Sequence, residues 1–141
     1  MKNKEKGFTL IELMLVVSIM LVLMGFMIPK FSAYQNKVKE TKAVNIAKQI
    51  QTAAMASYGY NDGKFIKEDI TGNITTLTSL KGVGVNDVKV NRDGQSVNVN
   101  YVSDETKYTL TIDAAQNTCE VSCGTTTIFP KTTKTTTEKR D

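Results

Sequence analysis

Residues 6–30 read KGFTLIELMLVVSIMLVLMGFMIPK, and the organisation of the whole chain follows from how this stretch is divided. From Phe8 to Ile28 there are 21 positions, of which only Thr9, Glu12, Ser18 and Gly25 are not apolar. As a helix they span ~30 Å, the thickness of a bilayer's hydrocarbon core. Lys2, Lys4 and Lys6 stand before them in a short polar leader, so the positive-inside rule keeps the N-terminus in the cytoplasm and sends the rest of the chain out. A secretory signal peptide needs small residues before its cut, and the nearest candidate, Phe31-Ser32-Ala33, puts Phe where a small residue belongs. A permanent anchor is physically adequate but leaves Glu12 unexplained. A carboxylate inside an apolar span costs about 2.5–3.5 kcal/mol on insertion scales, and a pure anchor has no need of it.

The ordered string Lys6-Gly7-Phe8-Thr9-Leu10-Ile11-Glu12, followed by the apolar run and Pro29, resembles the prepilin signature of the type IV pilin and pseudopilin superfamily. That resemblance implies cleavage between Gly7 and Phe8 by a membrane prepilin peptidase and N-methylation of the new terminus at Phe8. It implies a role for Glu12 in assembly, pairing with the amine of a neighbouring subunit and setting the stagger between helices. It also implies a kink or unwound stretch near Gly25 and Pro29. The residues agree with it. Gly7, without a Cβ, opens the backbone to a peptidase. Cleavage creates a cation at Phe8 one helical turn from Glu12, and a carboxylate in a low-dielectric site gains from such a partner, its own or a neighbour's. Pro29 has no N–H for the carbonyl of Gly25, so one turn carries two weaknesses. The competing readings are a Glu12 that snorkels to the interface and a Pro29 that marks the end of the membrane helix. Leu21 stands where many family members carry a small residue, a departure from the pattern.

From Lys30 to Tyr58 the chain turns polar yet has no Gly or Pro. Ala43, Ile46, Ala47, Ile50, Ala53, Ala54 and Tyr58 recur at three- and four-residue steps, which predicts that the helix continues with one apolar face, from about Phe8 to Tyr58. The turn formers Gly59-Tyr60-Asn61-Asp62-Gly63 end it. Residues 65–85 read as a loop with a short helical turn, and Asn73-Ile74-Thr75 matches a glycosylation sequon. Period-two alternation begins at Val88 and Val90. It resumes after the turn Asn91-Arg92-Asp93-Gly94 with Val97, Val99 and Tyr101, and again after Ser103 to Thr106 with Tyr108, Leu110 and Ile112. A short further strand is expected around Cys119 to Val121. The expected class is α+β: a long helix, half membrane-spanning and half amphipathic, covering a 3–4-stranded antiparallel sheet, the type IV pilin-like fold of the resemblance. The divisions are a leader at 1–7, a membrane and filament-core helix at 8–29, a head at 30–124 and a Thr-rich flexible tail at 125–141. Cys119 and Cys123, in an exported region, are expected to form a disulfide, which requires the chain to bend between them.

Composition narrows the function classes. The 141 residues suit one domain and include no His, no Trp and two Cys, which removes His-based triads, His metal sites and four-Cys zinc sites. No catalytic, cofactor or metal constellation is expected. The net charge is +4, of which the leader carries half, so a nucleic-acid partner is not expected. The leading expectation is a structural one: a pilin subunit, not an enzyme. It resides in the membrane with its N-terminus inside, is processed by the peptidase, passes to an assembly platform and polymerises with its own copies into a surface filament for adhesion, motility or biofilm. The alternatives are a pseudopilin of a type II secretion or DNA-uptake machine, and a single-pass membrane protein with an exported binding head.

Overall fold

The computed structural model describes residues 6–80 and 84–131 of the chain, so Met1 to Glu5 of the expected leader and the tail beyond Lys131 lie outside the described residues. The element order is α1 (Leu10–Tyr60), α2 (Lys67–Leu77), β1 (Val85–Val90), β2 (Ser96–Ser103), β3 (Thr106–Asp113), β4 (Thr118–Cys123) and β5 (Thr126–Phe129). The chain divides into two units, Met1–Val38 and Lys39–Asp141.

In the first unit α1 carries the apolar run, and every described residue there is exposed. The helix passes through Gly25 and Pro29 without a non-helical stretch, so Pro29 does not end it. What the two residues cost is the hydrogen bond that Pro29 cannot donate.

In the second unit the five strands form one antiparallel meander in the order β1-β2-β3-β4-β5. Register explains its two faces. Val88, Val99, Leu110 and Val121 lie opposite one another across four strands, as do Val90, Val97, Ile112 and Cys119. The intervening row, Lys89, Asn98, Thr111 and Glu120, is polar. Because side chains alternate along a strand, one face is predominantly apolar, with Ser103 a buried polar exception at the end of β2, and needs a cover. The cover is the α1 face predicted from its spacing: Ala43, Ile46, Ala47, Ile50, Ala53 and Ala54 are buried in one cluster with the sheet valines, Tyr101, Tyr108, Leu110 and Ile112. Tyr101 fastens the layers, its hydroxyl donating to the Ala43 carbonyl at 2.8 Å while its ring stacks on Tyr108 at 5.6 Å.

Three expectations need correction. The segment read as a loop holds an 11-residue helix, α2, whose Ile70 and Ile74 are buried against the core; burial outweighs its β-prone threonines. The sheet has five strands rather than three or four, and β1 starts at Val85. The fifth, Thr126–Phe129, occupies the start of the segment read as a flexible tail: Thr126 and Thr127 pair with Cys123 and Ser122, and Ile128 and Phe129 pack on the core. Thr and Phe favour strands, and an edge to pair with was the missing information.

Local latches hold the second unit together. Gly63 (φ 75°) follows the end of α1, and the Phe65 N–H then donates to the Gly94 carbonyl at 2.8 Å. Gly94 itself sits at φ 70°, with the Lys64 side chain only 3.1 Å from where a Cβ would stand, so both conformation and space require glycine there.

Candidate functional site

The site expected at residues 6–12 is open and locally ordered. Lys6 to Thr9 have no regular secondary structure, and Phe8 is 93% exposed. A Cβ added at Gly7 would meet nothing within 4 Å, so the Gly7–Phe8 peptide lies free of neighbouring atoms on that side. The helix starts directly after Thr9, whose carbonyl accepts the first helical bond, from the Leu13 N–H at 3.3 Å.

Glu12 is engaged at that start. Its Oε2 accepts from the Thr9 backbone N–H at 3.0 Å, and its own N–H donates to Thr9 Oγ1 at 3.4 Å. Thr9 is therefore the N-cap and Glu12 the reciprocating residue of a capping box, which satisfies two amide groups that a helix start otherwise leaves without partners. The carboxylate also stands at the positive end of the helix dipole. Thr9 was not singled out from the sequence, although a Thr followed three residues later by Glu, just before an apolar run, is the readable signal of such a cap. The remaining hydroxyl of the span, Ser18 Oγ, donates to the Met14 carbonyl at 2.7 Å, so it too is satisfied within the helix.

The expected Cys119–Cys123 disulfide is a correction. Both residues lie on β4, which pairs with β3 from Thr118 to Ser122 and with β5 at Cys123, and both thiols are free. Four residues of strand separate α-carbons by ~13 Å, about twice what a disulfide spans. The even spacing places them on the inner face with Val121 between, half-buried against the core. Burial pushes the Cys119 thiol up from its ordinary range, with Glu120 adding to it. Burial likewise raises the Tyr101 and Tyr108 phenols.

Elsewhere on the head, Lys42 Nζ and Asp104 Oδ1 meet at 2.7 Å beside the Asp104-Glu105 turn, and Lys48 Nζ lies 5.6 Å from the centre of the Phe129 ring. The sequon residue Asn73 is half-buried and its side-chain amide donates to the Ala53 carbonyl at 3.2 Å, tying α2 to α1. Among the described residues no group of three or more Cys, Asp or Glu is placed to hold a metal ion. A cleft lined by Tyr60, Asp62, Lys64, Arg92 and Asp93 brings together ordinary surface charges beside a turn.

Comparison with known proteins bears on this N-terminal site first. A family model described as the prokaryotic N-terminal methylation motif matches residues 2–28. The chain is 33% identical over 90 residues to the type IV major pilin protein PilE of Neisseria gonorrhoeae, a match covering 64% of this chain and 53% of that protein. It is 31% identical over 90 residues to a fimbrial protein of Neisseria meningitidis, covering 64% and 52%. To a fimbrial protein of Pseudomonas aeruginosa it is 35% identical over 99 residues, covering 64% and 63%. The chain thus spans about half the length of the first of these curated relatives. No solved structure matches.

Proposed function

We propose, from the methylation-motif match at residues 2–28 and the similarity to major pilins and fimbrial proteins, that this chain is a type IV pilin and the structural subunit of a surface filament. The observation that carries the reading is the contrast between its two units. The head buries its own apolar face, whereas Phe8 to Ile28 leaves every side chain exposed and carries a carboxylate at the very start of the helix. Such a segment is suited first to lipid and then to copies of itself. The subunit waits in the membrane with its N-terminus in the cytoplasm, and prepilin peptidase cuts between Gly7 and Phe8. Phe8 is then methylated, and an assembly platform moves the subunit into the filament.

In that filament the apolar helices form the core and the polar sheet face looks outward. Exchange of lipid for another helix gains little hydrophobic free energy, so subunit contacts come from close packing and from the Glu12 charge. Glu12 pairs there with the Phe8 amine of a neighbour, while Gly25 and Pro29 supply the turn at which the core helix can bend. The role is structural rather than catalytic.

The test is Glu12→Gln, which keeps shape and hydrogen bonding but removes the charge. Cells carrying it are expected to show few or no filaments by electron microscopy while the subunit stays in the membrane at normal level. Filaments at wild-type yield would leave Glu12 as a residue that merely reaches the interface.

A further inference from the structure

The capping box gives Glu12 a partner before any neighbour is present. A carboxylate near the start of a membrane helix is costly when unsatisfied, yet here Oε2 accepts the Thr9 N–H at 3.0 Å and the Thr9 hydroxyl faces the Glu12 N–H at 3.4 Å. The amide it occupies belongs to the residue directly after Phe8. We propose that Thr9 is a positioning residue for Glu12: the reciprocal cap satisfies the carboxylate within its own chain while the subunit is alone in lipid, and holds it beside the nitrogen that cleavage frees. Assembly is then an exchange, in which a cap inside one chain gives way to an amine of the next.

This rests on the proposed cleavage at Gly7 and the polymerisation of the product, and it deepens that reading in three ways. A second residue, Thr9, becomes necessary for efficient assembly although it carries no charge. Glu12 acquires two separable duties, one that any acceptor can perform and one that needs the charge. The helix start is fixed at Leu10, which leaves Lys6 to Thr9 without regular secondary structure, as observed.

The experiment uses the full chain in lipid bicelles, following amide hydrogen exchange at Thr9 and Glu12 by NMR. Loss of an N-terminal cap changes the closed-to-open ratio by about tenfold. The Thr9 N–H is therefore expected to exchange about tenfold faster in Glu12→Ala than in the wild type, and within about twofold of wild type in Glu12→Gln, since Gln serves a capping box as Glu does. In cells, Thr9→Val, which matches Thr in shape but lacks the hydroxyl, is expected to lower filament yield at unchanged cleavage, and Thr9→Ser to restore it. Equal exchange at Thr9 with Glu, Gln or Ala at position 12 would overturn the cap, and wild-type yield from Thr9→Val would overturn its part in assembly. If the wild-type chain were not cut at Gly7, the proposed function would fall, while the exchange rates would still decide whether the cap exists.

Discussion

Tyr101 is the residue through which sheet and helix are most directly joined, and two substitutions there separate its contributions. It is 1% exposed, donates to the Ala43 carbonyl at 2.8 Å and stacks on Tyr108. Tyr101→Phe removes one buried hydrogen bond. The Ala43 carbonyl keeps the N–H that a regular helix supplies from four residues on, so no orphan is created and the net loss is about 0.5–1.5 kcal/mol. Tyr101→Ala empties the ring's place between layers and costs about 3–5 kcal/mol. In a domain of this size each kcal/mol lowers the melting temperature by about 4–8 °C, so Phe shifts it by a few degrees and Ala by well over ten or prevents folding. The assay is thermal melting by circular dichroism of an exported fragment beginning at Lys30, which is expected to be a soluble monomer of mixed helix and strand. An Ala variant destabilised by less than about 1 kcal/mol would mean that α1 does not cover the sheet, and the packing argument would fail.

Alkylation of the denatured, unreduced head should label both Cys119 and Cys123, since β4 holds them apart; a mass with no label added would mean they are bridged. Burial raises the Cys119 thiol and the Tyr101 and Tyr108 phenols, so the folded head keeps protons that the unfolded chain releases. Denaturant midpoints should therefore be level through neutral pH and fall above about pH 9, and a rise there would contradict the burial of these groups. Gly94→Ala should destabilise the head by about 1–2 kcal/mol, because Ala strains the φ of 70° and meets the Lys64 side chain; an unchanged melting temperature would show that the turn can relax.

The helix face was legible because burial repeats with the helical period: every small or aliphatic residue from Ala43 to Ala54 expected inside is inside. The central strands were legible for the same reason at period two. What the sequence hid was long-range. Nothing local to Thr126–Phe129 says that β4 offers it an edge, and nothing local to Lys67–Leu77 says that a core awaits Ile70 and Ile74. The cysteines misled because an exported pair favours oxidation in general, whereas alternation from Thr118 to Cys123 already placed both on one face of a strand too extended to join them. At the N-terminus the apolar length, the glycine and the carboxylate were all readable. The Thr9 cap was less legible, because a carboxylate in an apolar run stands out by its charge and not by its capacity to accept a hydrogen bond three residues back.

The most direct test of the central claim is the intact mass of the protein sheared from the cell surface. A filament subunit built as described lacks Met1 to Gly7, begins at Phe8, and carries one added methyl group on that terminus. Protein recovered from filaments with Met1 to Gly7 still attached would contradict the account.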